Sequence, residues 1–297
     1  MKTLLFNVSV TGAICRIPFN YKISSIINLI NYGTLYANSF YLFPINQIRM
    51  IPIGDTNTDR IRTPYVNYIL IAINIIVFVL YQDMGTNEAF LLSFATVPQE
   101  ILTGTDVTIN GLGQTPIPVQ LTLLTSMFMH GGLAHIGGNM LYLWVFGDNL
   151  ENRMGHIKYL VFYLLTGLIA SLAHVFASQF FGKDLLIPSL GASGAISGVL
   201  GGYLILFPKN QVRVFVIGTI MNVPAFVTLG LWIGLQVLSG WGSIGAEGGG
   251  VAYAAHIGGF LAGMLLVKFF AGKNPTPEER EKFRGAAVEK KSFLDRF

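Results

Sequence analysis

The sequence predicts an all-α polytopic membrane protein: one bundle of six transmembrane helices with a long first external loop, partly embedded in the membrane. Three observations predict it. Of 297 residues, 52% are hydrophobic and only 11% are charged, less than half the roughly 25% of an ordinary soluble domain. Mean hydropathy is +0.57. Six apolar runs, free of charge but for a lysine near one end of two of them, come close to the ~20 residues that cross a hydrocarbon core of about 30 Å. A chain with so few charges cannot cover a soluble core, which argues against a soluble enzyme, a nucleic-acid binder and a disordered regulator. The single Cys15 excludes an internal disulfide and a cysteine-built zinc site.

The runs span residues 65–82, 132–147, 157–180, 191–207, 222–240 and 251–271. Runs two, four and six carry the polar residues and many of the glycines, and small residues let helices pack closely in lipid. Runs one, three and five read as scaffold. With the N-terminus placed inside, every basic residue except Lys183 falls on the inner side. The outer loops hold Asp83, Glu88, Glu100, Asp106, Asp184 and Glu247. That partition obeys the positive-inside rule and predicts both termini in the cytoplasm. A bacterial plasma membrane fits this reading, with the polar residues of runs two, four and six near the external face.

Residues 50–272 form the membrane domain in this reading. Between runs one and two, the 83–131 loop holds apolar stretches (Ala89–Val97 and Val119–Met129) and turn signals at Gly111, Gly113, Pro116 and Pro118. An external loop that apolar is expected to lie partly in the membrane face. Residues 1–49 are an uncertain N-terminal extension: Lys2 followed by TLLFNVSVTGAIC faintly resembles a signal peptide, and Asn7, Ser9 and Thr11 weaken its apolar core. Residues 23–45 could form an interfacial helix; an alternative makes Met50 the start, with 1–49 absent from the mature protein. Residues 273–297 read as a polar cytoplasmic tail in which Pro277-Glu278-Glu279 could open a short helix.

Polar groups inside a membrane are costly, so each invites a functional hypothesis. Ser193 lies in Gly191-Ala192-Ser193-Gly194 at the outer start of run four, and His256 lies about five residues into run six from the same side. Gly194, Gly198 and Gly202 form a stripe on run four; Gly259 and Gly263 form a pair on run six. Close approach of the two helices would bring Ser193 to the imidazole, and a serine hydroxyl becomes a useful nucleophile when a base in hydrogen-bond reach accepts its proton. His135 and Asn139 are i, i+4 on run two, share one helix face and are candidate donors for an oxyanion. His130 is read as pinning the loop before run two, and His174 as structural. Nothing requires a cofactor. No H-E-x-x-H pattern and no carboxylate accompanies the histidines, which argues against a metal. The runs carrying Ser193 and His256 hold no Asp or Glu to orient His256, so the pair would be a dyad.

These motifs together resemble the rhomboid family of intramembrane serine proteases. The matching residues are His130-x4-His135-x3-Asn139, Gly191-Ala-Ser193-Gly194 and Ala-His256-x-x-Gly259-x-x-x-Gly263, within a resemblance running from about Met50 to Ala271. The resemblance implies Ser193 as nucleophile, His256 as general base, and His135 and Asn139 as oxyanion donors, with a water-filled cavity open to the outside. It implies substrates that are single-span or otherwise membrane-anchored proteins, the lipid bilayer as surroundings, and no nucleic acid. Glu151 and Arg153 look like the family's Glu-x-Arg structural pairing. Two positions depart from the family. Leu121-Thr122 stands where some members have Trp-Arg, and Ser197 stands where some have an aromatic stacked on the histidine. The alternatives are a catalytically inactive rhomboid-like protein that binds membrane clients, or a small-solute transporter.

Overall fold

A computed structural model describes residues 7–10, 13–16, 50–107, 114–243 and 250–294. The proposed interfacial helix at 23–45, the turn signals Gly111 and Gly113, and Glu247 lie outside the described residues. Strands β1 (Asn7–Val10) and β2 (Ala13–Arg16) pair antiparallel as a hairpin of their own.

The rest is mostly helical. Strand β3 (Ile51–Asp55) leads to α1 (Tyr65–Ile76), which continues through a π-helical stretch at Val77–Tyr81. The 83–131 segment folds into α2 (Glu88–Phe94), α3 (Pro98–Thr103) and α4 (Thr122–Thr125), the last flanked by 3-10 turns. Then come α5 (Leu133–Met154), α6 (His156–Phe181), α7 (Ser193–Leu206), β4 (Gln211–Val216), β5 (Thr219–Pro224), α8 (Ala225–Ser243), α9 (Gly250–Phe270) and α10 (Pro277–Leu294). All six apolar runs contain helix. His156–Phe181, Ala225–Gly242 and Tyr253–Phe270 are long and apolar enough to cross a membrane, whereas Tyr65–Tyr81 and Ser193–Leu206 are apolar but shorter.

The strands correct the all-α expectation. Strands β3, β4 and β5 form an antiparallel sheet in that order, with Ile51 opposite Phe215 and Gln211 opposite Pro224. Val212 and Val214 are fully buried while Gln211, Arg213 and Phe215 face outward. That is the period-2 pattern of a half-buried strand, and it moves the start of the fifth helix from residue 222 to Ala225.

Helix α7 is the centre of the bundle, packed between α5, α6 and α9. Residues Ala195 to Tyr203 are all buried. Around it lie Leu143, Phe146 and Leu150 of α5, Tyr159, Phe162 and Tyr163 of α6, and Phe260 and Val267 of α9.

At the far end of α5, Glu151 is fully buried. Its carboxylate accepts the backbone N–H groups of Val66 (2.9 Å) and Asn67 (2.7 Å) and meets His156 Nδ1 at 2.5 Å. It thereby satisfies first-turn donors of α1 that the helix cannot satisfy itself. Arg153 bonds instead to Asn274, and its carbonyl accepts from Gly272 N–H at 2.7 Å. The expected Glu151–Arg153 pairing is therefore not made, because residues two apart on a helix do not face each other. The tail is helical, and Arg280 and Arg284 hold it to Asp59 (2.5 Å) and the Thr58 carbonyl (3.0 Å).

Asp55 ties the sheet to the bundle. It accepts from the Tyr203 hydroxyl at 2.5 Å, from Asn57 at 3.0 Å and from Asn149. Burial pushes its carboxyl up from the ordinary 3.8 to about 7, against the lowering by Tyr203 and Arg60. An acid whose folded pKa is raised holds its proton in the folded state after the unfolded chain has released it. The wild type should therefore lose stability as pH rises from about 4 to about 7. In Asp55→Asn that component of the decline should vanish. Thermal unfolding in detergent across this range checks it, and parallel curves for the two proteins would contradict it.

Candidate functional site

Four segments converge on one pocket, lined among others by Ser126, Ser171, Ser189, Gly191, Ser193 and His256. Ser193 is the first residue of α7 and His256 lies in the first half of α9. The Ser193 Oγ stands 2.8 Å from His256 Nε2. The contact depends on how closely the two helices approach. A Cβ at Gly259 would collide with the Gly194 carbonyl oxygen, and one at Gly263 with the Gly198 carbonyl oxygen. The α9 glycines thus pack on the α7 backbone, as their spacing suggests. The α7 stripe itself looks elsewhere: Gly194 faces Ala170 and Gly198 faces Thr166, both on α6.

His135 enters from the first turn of α5. Its Nδ1 accepts the Gly131 N–H at 3.2 Å, so in the neutral ring Nε2 carries the proton. Gly191 has φ +129, in the region that favours glycine. A Cβ built there would lie 3.0 Å from His135 Nε2 and 3.6 Å from Ser193 Oγ. The His135 donor and the Ser193 hydroxyl therefore face one small space that glycine leaves open. Asn139 lies one turn further along the same face of α5. It is buried, and its Nδ2 has no hydrogen-bond partner among the described residues. Such an arrangement can supply a hydroxyl next to a proton acceptor with the His135 N–H facing the same space, elements of acyl transfer.

His130 departs from expectation in its means. It is fully buried, but its backbone does the pinning: N–H donates to Gln82 Oε1 and C=O accepts from Gln82 Nε2, each at 2.9 Å. Its ring stands edge-on to His135 with centroids 5.1 Å apart. Ser197 turns away from His256 and donates to the Ser193 carbonyl at 2.6 Å. Two residues of α8, unmarked by any motif, take the place of the missing aromatic. Gln236 Oε1 lies 3.0 Å from His256 Nδ1, and the Trp232 ring sits 6.1 Å from the imidazole, centroid to centroid. In the first loop Leu121 is about half exposed. Buried Thr122 bonds the Val119 carbonyl at 2.6 Å and accepts from Thr96 through its own carbonyl at 2.9 Å.

The helix contact can be tested directly. Gly259→Val should push α9 off the Gly194 carbonyl and lower stability by about 1–3 kcal/mol, the usual cost of overpacking a tight contact. Thermal unfolding in detergent reads this, and an unchanged melting temperature would contradict it.

The Rhomboid domain model matches residues 119–273, just over half of the chain. Rhomboid protein 1, mitochondrial, of Saccharomyces cerevisiae is 30% identical over 200 residues, covering 67% of this chain and 51% of that protein. Rhomboid protease GluP of Bacillus subtilis is 31% identical, over 66% of this chain and 35% of that protein. The human Presenilin-associated rhomboid-like protein, mitochondrial, is 28% identical, over 50% and 37%. The chain thus spans about half the length of the yeast relative and about a third of the other two. Two of the three are mitochondrial by name, so the expectation of a bacterial plasma membrane gains no support. Apolar helices and these similarities together make the chain an integral membrane protein.

Proposed function

The chain belongs to the rhomboid family, among whose members is the rhomboid protease GluP, and on that premise we propose that it is an intramembrane serine endopeptidase. It would cut the transmembrane or juxtamembrane segment of membrane-anchored proteins, single-span ones among them. The observation that carries this reading is the 2.8 Å contact between Ser193 Oγ and His256 Nε2. Both groups are present, on different helices, in a pocket among helices that are otherwise apolar.

In the proposed reaction Ser193 Oγ bonds to the substrate carbonyl carbon while its proton passes to His256 Nε2. The oxygen that gains negative charge is stabilised by His135 Nε2–H and Asn139 Nδ2–H. The carbon–nitrogen bond then breaks as His256 returns the proton to the leaving amine. Water, deprotonated by His256, cleaves the acyl-serine ester and restores the hydroxyl.

We propose six spans with both termini on the side rich in basic residues, and the site near the opposite face. The first loop, with α2 to α4, would lie partly in that face. Helix α7 has 14 residues, about 21 Å at 1.5 Å per residue, shorter than the hydrocarbon core. Its length fits a nucleophile recessed below one surface and reached by water through the pocket.

The test is cleavage of a model single-span substrate in liposomes. Wild type should cleave it and Ser193→Ala should not. Asn139→Ala should retain the fold and lose about 10²–10³ in kcat, the usual cost of an oxyanion donor. Equal cleavage by wild type and Ser193→Ala, or none by wild type across several substrates, would remove the protease reading in favour of a binding protein.

A further inference from the structure

We propose that Gln236 is a positioning residue for His256: it fixes the imidazole tautomer that leaves Nε2 free to accept the Ser193 proton. The proposal rests on the protease reading for its kinetic consequence, but the tautomer itself can be read independently.

Three contacts carry it. Gln236 Oε1 lies 3.0 Å from His256 Nδ1, and Nε2 of the same ring lies 2.8 Å from Ser193 Oγ. An amide oxygen can only accept, so Nδ1 must be the donor. A neutral imidazole carries one ring proton. With that proton on Nδ1, Nε2 presents a lone pair to the serine hydroxyl. The opposite tautomer would set a donor against the hydroxyl and leave Gln236 Oε1 facing a lone pair. Which ring nitrogen is protonated is set by the hydrogen bond the other makes.

The third contact is Trp232, one turn before Gln236, whose ring centroid lies 6.1 Å from that of His256. Residues i and i+4 share a helix face, so one face of α8 presents both a ring and an amide to the imidazole. Gln236 is the only amide side chain in α8, which is otherwise almost wholly apolar. A polar side chain in such a helix is costly unless it finds a partner, and His256 is the partner it has. Among the described residues no carboxylate hydrogen-bonds His256, so the orienting group is a neutral amide. It aligns the ring without adding a charge beside it.

Two measurements test this on the full-length protein. The first uses histidine labelled with ¹⁵N in detergent micelles, with His256→Ala to assign the signal among the five histidines. Wild type should show a protonated Nδ1 and an unprotonated Nε2 at His256, and Gln236→Leu should show a mixture. The second is kinetic. Gln236→Leu should lower kcat about tenfold, the rate equivalent of one neutral hydrogen bond, with KM unchanged. Gln236→Glu, which keeps an acceptor oxygen at the same length, should restore most of the loss. Gln236→Met replaces the Leu variant if that one melts at a lower temperature.

A protonated Nε2 in wild type would overturn the proposal whatever the cleavage result. So would a Leu variant with kcat within about twofold of wild type, or equal losses in the Leu and Glu variants, which would mean packing alone. If wild type shows the expected tautomer but cleaves nothing, the protease reading fails and the Gln236–His256 assignment stands.

Discussion

The close approach of α7 and α9 is the constraint on which the site depends. A serine side chain is one of the shortest polar groups, so it reaches an imidazole on another helix only if the backbones nearly touch. Gly259 and Gly263 permit this, each lying where a Cβ would strike an α7 carbonyl oxygen. Without a strong hydrophobic drive between helices in lipid, such packing is itself a main source of association. The same contact that holds the bundle together therefore sets the Ser193–His256 distance.

Around that contact, polar groups are spent economically. Buried Glu151 satisfies the N-terminus of α1, and Asn67 links Tyr159 to the Leu143 carbonyl. Gln82 holds both backbone groups of His130 and so fixes the turn that delivers His135. The His135 ring is oriented by Gly131, and the His256 ring by Gln236. The Asn139 amide is among the buried polar groups that keep an atom, here Nδ2, unpaired among the described residues. A buried donor without a partner is costly to the fold, and in the proposed reaction it serves the developing negative charge.

Much of this was legible in the residues. Ser193, His256, His135 and Asn139 could be named because two glycine-rich helices and an i, i+4 pair are local patterns; the structure brings Ser193 and His256 into one pocket and sets His135 against Gly191 at its edge. The helical runs were legible from apolar length alone. Gln236 was not: it stands 20 positions before His256 in a run that reads as scaffold, and only the packing of α8 against α9 gives it meaning. The sheet was missed because Gln211–Pro224 is short and its alternation was absorbed into a loop and the start of a span. The Asn67 N–H that Glu151 accepts and the Asn274 side chain that Arg153 bonds lie 84 and 121 residues away, beyond the reach of any local spacing rule.

The central claim is that His256 activates Ser193 as a nucleophile. The most direct measurement is the rate and site of covalent labelling by a fluorophosphonate, located by peptide mass spectrometry in the full-length protein. The account predicts an adduct on Ser193 in wild type and a much slower one in His256→Ala. An adduct on another serine, or equal labelling rates in the two proteins, would contradict it.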